Sequence, residues 1–95
     1  MAAIVLARFK VIDYEKWREV CVSKAELRQS FGCTGTHIFY NAKDHGDVII
    51  NLQWDSEENA TRFQNSDEMK QAMQEAGVLG PPEFIFLEDG GRTPS

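Results

Sequence analysis

A chain of 95 residues, 42% hydrophobic and 26% charged, has room for one hydrophobic core, and this composition is neither that of a disordered segment nor of a fibrous repeat. Fifteen acidic residues against ten basic ones leave a net charge of −5, so the broad cationic character that nucleic acid or an anionic membrane attracts is missing, and neither partner is expected. The apolar run Ala2 to Ala7 has no basic segment before it and is broken at once by Arg8 and Lys10. It reads as neither a secretion signal nor a membrane span, which makes a cytoplasmic location and free thiols at Cys21 and Cys33 the expectation.

Residues 3–11, AIVLARFKV, are rich in β-branched and apolar side chains and predict a strand. Asp13 is a good N-cap for the periodic stretch that follows. At about 100° per residue, Tyr14, Trp17, Val20, Cys21, Ala25, Leu27 and Phe31 gather on one arc of a single helix, with Glu15, Lys16, Glu19, Ser23, Glu26 and Ser30 opposite. Gly32 suits the end of that helix. THIFYN and DVIINLQW then predict an antiparallel hairpin whose loop runs from Ala42 to Gly46, with His45 facing solvent. Asp55 with Glu58 resembles a capping box, so a helix starts there with Ala60 and Phe63 inward. Ser66 is a second cap at which the helix bends or restarts, and Met69, Ala72, Met73 and Ala76 continue the inward stripe to Gly77. Gly80-Pro81-Pro82 forbids regular helix, EFIFLE reads as the last strand, and DGGRTPS as a loose tail. The domain is expected over residues 3–88 and the tail over 89–95.

Two helices can cover one face of a four-stranded sheet, so a monomer should alternate apolar with polar along each strand. These strands do not. Ala3, Val5, Ala7, Phe9 and Val11 make one face of the first strand apolar, yet Ile4 and Leu6 are apolar on the other. Val48, Ile50, Leu52 and Trp54 oppose Ile49, Asn51 and Gln53 in the third, and Phe84 and Phe86 oppose Ile85 and Leu87 in the last. A sheet apolar on both faces predicts a homodimer formed through the sheet. The face of Ala7 and Trp54 is expected to meet the helices, and the face of Asn51 and Gln53 the other subunit.

The element order, with Trp54-Asp55-Ser56-Glu57-Glu58-Asn59-Ala60 and Ser66-Asp67-Glu68-Met69-Lys70, resembles the dimeric α+β barrel superfamily, and most of all its antibiotic biosynthesis monooxygenase-like domains. Their third strand often ends in a W-x-S-x-x-A pattern leading into the second helix, and here the alanine, Ala60, stands one residue later. The resemblance spans residues 3–88 and implies an α+β fold: a ferredoxin-like βαββαβ protomer with an antiparallel sheet, two of which form the barrel, each with a pocket between sheet and helices. Members include cofactor-independent oxygenases, isomerases and heme-degrading enzymes. The heme-degrading branch carries a histidine on the second helix and an asparagine on the first strand. Met73 and Ala7 stand at those positions here, so heme is not expected.

Lys24 and Arg28 fall inside the apolar arc beside Trp17 and Cys21, four residues apart and able to converge on a carboxylate, phenolate or phosphate. The competing reading has both stems lying along the rim with their heads in water, or paired with acids such as Glu83 or Glu88. Trp17, Trp54 and Tyr40 suit the walls of an aromatic-binding cavity or equally a packed core. His37, mid-strand, is either a base near neutral pH or a barrel histidine with its hydrogen bond satisfied. No metal-ligand spacing and no phosphate-binding glycine loop appears, so no cofactor and no metal are expected. The functional expectation is a small-molecule-binding dimer, as a cofactor-independent monooxygenase or isomerase for an aromatic or anionic metabolite. A non-catalytic dimeric sensor or scaffold is the alternative.

Overall fold

The structure, a computed structural model, describes residues 2–95. Its elements run β1 (Ala3–Val11), α1 (Tyr14–Ser23), α2 (Ala25–Ser30), β2 (Cys33–Asn41), β3 (Asp44–Trp54), α3 (Glu57–Gln64), α4 (Asp67–Ala76) and β4 (Val78–Leu87). All pairings are antiparallel and the strand order is β2-β3-β1-β4, with β1 and β3 central.

The split between the two sheet faces is as the strand patterns predict. Val5, Ala7, Phe9, Val48, Ile50, Leu52 and Trp54 are buried under the helices, joined there by Trp17, Ala60 and Phe63. The opposite face carries Ile4, Leu6, Ile49, Asn51 and Gln53, and the pairings add His37, Phe39, Ile85 and Leu87 to it. On this face Phe39, Ile85 and Leu87 are 47%, 43% and 39% exposed in the protomer. Its other end is polar. Arg8 donates through Nε and Nη2 to the Asp47 carboxylate at 3.0 and 2.7 Å, and Asn41 Nδ2 donates to Asp47 Oδ2 at 3.1 Å. These hydrogen bonds, Arg8 first and Asn41 next, hold the Asp47 carboxyl far below the usual carboxylate range.

Four local readings need correction. The single helix expected over 14–31 is two: Lys24 leaves helical geometry (φ −97°, ψ 10°), and its N–H is shared between the carbonyls of Val20 at 3.1 Å and Cys21 at 3.2 Å. Arg28 Nη1 also donates to the Cys21 carbonyl, at 2.8 Å, so a side chain one turn on satisfies backbone at the break. The second helical region is capped by Ser56 and not Asp55, with Ser56 Oγ accepting from Asn59 N at 3.1 Å. Asp55 instead accepts from Asn59 Nδ2 at 2.9 Å. The hairpin turns on Ala42 and Lys43 alone, because Asn41 Oδ1 accepts from Lys43 N and Asp44 Oδ1 from Gly46 N. His45 therefore belongs to β3 and lies 4.3 Å from Tyr40, ring to ring, rather than in solvent alone. Finally, β4 begins at Val78 and contains both prolines. An edge strand tolerates them, and the pairing with β1 slips between Arg8 and Lys10 to pass them.

Ser66 caps α4 as expected, accepting from Met69 N at 3.1 Å, and Gly77 closes it in the left-handed conformation (φ 76°). Residues 88–95 are exposed and carry no regular structure.

Candidate functional site

Between the helix-facing side of the sheet and the four helices lies a cavity of about 70 Å³. Its floor is Val5, Ala7, Ile50, Leu52 and Phe84, and its far wall Met69, Ala72 and Met73 from α4. Aromatic rings brace it on both sides. Phe9 and Trp17 lie 5.5 Å apart, and Phe63 sits 5.3 Å from Trp54 and 5.1 Å from Phe31.

Trp54 carries the most informative polar atom. It ends β3, is 2% exposed, and its Nε1 has no hydrogen-bond acceptor among the described residues. A buried donor without a partner costs about 1–3 kcal/mol, so such groups are few in a folded chain.

Of the residues singled out in the sequence, Trp17, Trp54, Lys24 and Arg28 all line this cavity. The cations occupy its mouth in different ways. Lys24 Nζ lies 3.2 Å from Glu75 Oε2, which ties the α1–α2 junction to α4, so its acidic neighbour is neither Glu83 nor Glu88. Arg28 turns back on the Cys21 carbonyl. Burial pushes the Cys21 thiol up, against the lowering effect of Arg28, and this sulfur behaves as a small apolar group.

His37 and Tyr40 stand elsewhere. His37 pairs with Asn51 across β2–β3 and so points away from the helices, 4.1 Å from the Phe39 ring. Tyr40 shares the helix side of the sheet but lies at its outer edge, 4.9 Å from Tyr14. Neither residue lines the cavity. The unpaired Trp54 donor is a feature sequence reasoning missed, because satisfaction of a particular N–H depends on neighbours that only folding brings together.

Among the described residues, no histidine and no carboxylate lines the cavity. Among the described residues, no group of three or more His, Cys, Asp or Glu could hold a metal ion. Ala7 and Met73 both border the cavity. A cavity of this volume bordered by those two side chains does not fit a heme.

An antiparallel βαββαβ protomer with a cavity under its helices defines a ferredoxin-like α+β protein. The family model described as antibiotic biosynthesis monooxygenase matches residues 3–75, and the chain belongs to that family. No curated protein matches the sequence significantly. Among solved structures the chain is similar to SnoaB, a cofactor-independent oxygenase from Streptomyces nogalater, at TM-score 0.77 and 11% identity, covering 99% of this chain and 98% of that one. It is also similar to a candidate antibiotic biosynthesis monooxygenase from Bordetella bronchiseptica, at TM-score 0.79 and 13% identity, with 93% and 96% covered. A conserved protein from Methanosarcina mazei matches at TM-score 0.68 and 18% identity over 92% and 91%. At such identities these likenesses establish the fold. No helix among the described residues is long and apolar enough to cross a membrane.

Proposed function

We propose that this protein is a homodimer that binds a small planar aromatic carrying an acceptor oxygen in the cavity between sheet and helices, with the Trp54 indole N–H as the donor that orients it. The observation that carries this reading is the buried, unpartnered Nε1 of Trp54, a residue that lines an apolar cavity. Apolar walls and a single convergent donor suit an aryl ketone or phenol. Glu75 offsets the charge of Lys24, so of the two cations lining the cavity Arg28, which has no carboxylate partner among the described residues, favours its anionic form. Family membership supports cofactor-independent oxygenation of such a ligand. With no histidine or carboxylate in the cavity among the described residues, the ligand would lose its proton to solvent. The exposed apolar side chains at both edges of the sheet face turned away from the helices, Ile85 and Leu87 on β4 and Phe39 on β2, support the dimer, with the partner's sheet as their cover.

A second reading is a non-catalytic ligand sensor or scaffold, and the size of the cavity favours it. At about 70 Å³ it is smaller than the space a drug-sized ligand occupies, ordinarily several hundred Å³. Binding of more than one ring thus requires Met69 and Met73 to change rotamer or α4 to move off the Lys24–Glu75 contact.

A graded series of phenol, 1-naphthol and a three-ring hydroxyanthracene, titrated while the Trp54 indole ¹H–¹⁵N resonance is followed, tests both readings. Saturable movement of that resonance, with oxygen uptake for the larger members, is expected of the enzyme. Saturable movement without turnover would leave the sensor. A resonance unmoved by every member at millimolar concentration would overturn the cavity as a ligand site.

A further inference from the structure

We propose that the groove between α1–α2 and the start of β2 is a second binding site, distinct from the sheet–helix cavity, which holds a small aromatic carboxylate through Arg28, Thr34 and Thr36. Cys21 and Arg28 form the wall between the two spaces and line both. The groove has a volume of about 280 Å³, against about 70 Å³ for the cavity, and its lining is far richer in polar groups.

Three independent features converge there. Arg28 is only half exposed, and the ion pairs of the described residues, Arg8–Asp47, Lys10–Asp44, Lys10–Asp47 and Lys24–Glu75, leave it without a carboxylate. One of its N–H groups goes to the Cys21 carbonyl, and a guanidinium has a planar fork of further donors that matches a carboxylate. The strand opposite departs from regular geometry at the same spot. Pairing with β3 passes from Cys33↔Trp54 to Gly35↔Gln53 and skips Thr34. Side chains of a regular strand alternate between faces, yet Cys33, Thr34, Gly35 and Thr36 all border the groove. An irregularity of this kind re-aims side chains, and here it leaves Thr34 and Thr36 lining the same groove as Arg28. Among the described residues Thr36 Oγ1 meets only the weak Cys33 thiol, at 3.6 Å.

The remaining lining defines the rest of the ligand. Val22, Ala25 and Ile38 supply an apolar wall for a ring, and Gln29 an amide at the helix side. Among the described residues no acidic side chain borders the groove, and burial pushes the Cys21 thiol up, away from its thiolate form. The site therefore offers a cation without a competing anion, in a chain whose net charge is −5. That arrangement selects a carboxylate over its uncharged isostere.

The test uses the full chain, with sodium benzoate as probe and benzamide as the neutral control, each to ~10 mM, above the millimolar Kd that a few kcal/mol supports. Benzoate is expected to move the backbone amides of Gln29, Thr34, Gly35 and Thr36 saturably, with benzamide leaving them in place. Arg28→Gln should weaken benzoate about tenfold, the loss of a charge-assisted contact. Because Arg28 also ties the α1–α2 junction, Thr36→Val, which keeps that tie, should weaken it several-fold with an unchanged far-ultraviolet spectrum. Benzamide binding as tightly as benzoate, or neither moving these amides, would overturn the site. Benzoate shifts confined to the Trp54 indole would overturn the groove while leaving the cavity reading intact. Groove shifts in a protein whose Trp54 answers no phenol would do the reverse.

Discussion

Replacing Trp54 by phenylalanine separates a ligand-orienting indole from one that only fills the core. The side chain is 2% exposed, and its Nε1 is buried without an acceptor. Trp54→Phe removes that stranded donor, which relieves a penalty of about 1–3 kcal/mol. The same change deletes one ring of the indole. Roughly 40 Å³ of new void at ~24 cal/mol per Å³ costs about 1 kcal/mol, and the lost apolar burial costs about another. The opposing effects nearly cancel, so the unliganded variant should lie within about 1 kcal/mol of the parent, whereas Trp54→Ala should lose about 3–5 kcal/mol. Urea unfolding followed by circular dichroism at one fixed protomer concentration measures both, since a dimer's apparent stability depends on concentration. Affinity for a phenol that does bind should fall up to about tenfold in Trp54→Phe, the worth of one hydrogen bond. A Trp54→Phe protein as unstable as Trp54→Ala would refute the reasoning, because it would mean that the indole N–H has a strong partner within the protein itself.

Light scattering should find particles of twice the 10.8 kDa protomer mass, and Ile85→Glu, which places a charge among the exposed apolar side chains, should weaken association by about 100-fold or more; a parent that runs as a monomer at micromolar concentration contradicts the dimer. The Asp47 carboxyl has a folded-state pKa depressed below its unfolded value of ~3.9, so its contribution is fully present above that pH and is lost as the pH falls below about 4 toward the folded value. The urea midpoint should therefore drop between about pH 5 and 2 in the parent and more shallowly in Asp47→Asn, and equal slopes would show that the Arg8–Asp47 pair is not the acid-labile contact. Gly32 sits at φ 108° with the Asp55 carboxylate where a Cβ would go, so Gly32→Ala should cost about 2 kcal/mol or more. Part of that loss should return in Gly32→Ala/Asp55→Gly, and strict additivity of the two changes would rule out the clash.

Much of the architecture was legible because it rests on periodicity. Strands apolar on both faces, the start signal Ser66 and the stop signal Gly77 each encode an element locally and stand where the pattern placed them, and of the inward stripe Tyr14, Trp17, Val20, Cys21, Leu27 and Phe31 reach the core although the helix carrying them breaks at Lys24. The pairings of Ala7 with Ile50 and of Leu6 with Asn51 likewise keep the two faces apart, since a strand's period of two admits no mixture. The errors cluster where a contact distant in sequence or a one-residue choice decides. Asp55 and Ser56 are both competent caps, and Asp55 is drawn off by the Asn59 amide. Nothing in the composition of residues 14–31 announces a break at Lys24.

The sequence by itself determined the elements, the apolar faces and the set of side chains that border the cavity from one helix face, because these follow from 3.6- and 2-residue repeats along a single segment. Only the tertiary structure decided what those side chains do. Glu75, on a helix far along the chain, is what holds Lys24, and the Cys21 carbonyl is what holds Arg28. Strand register turned His37 to the far side of the sheet and left Tyr40 at its edge. The unpaired Trp54 donor and the irregularity at Thr34 exist only once β2 lies against β3, since hydrogen-bond satisfaction belongs to the assembled neighbours and not to the residue.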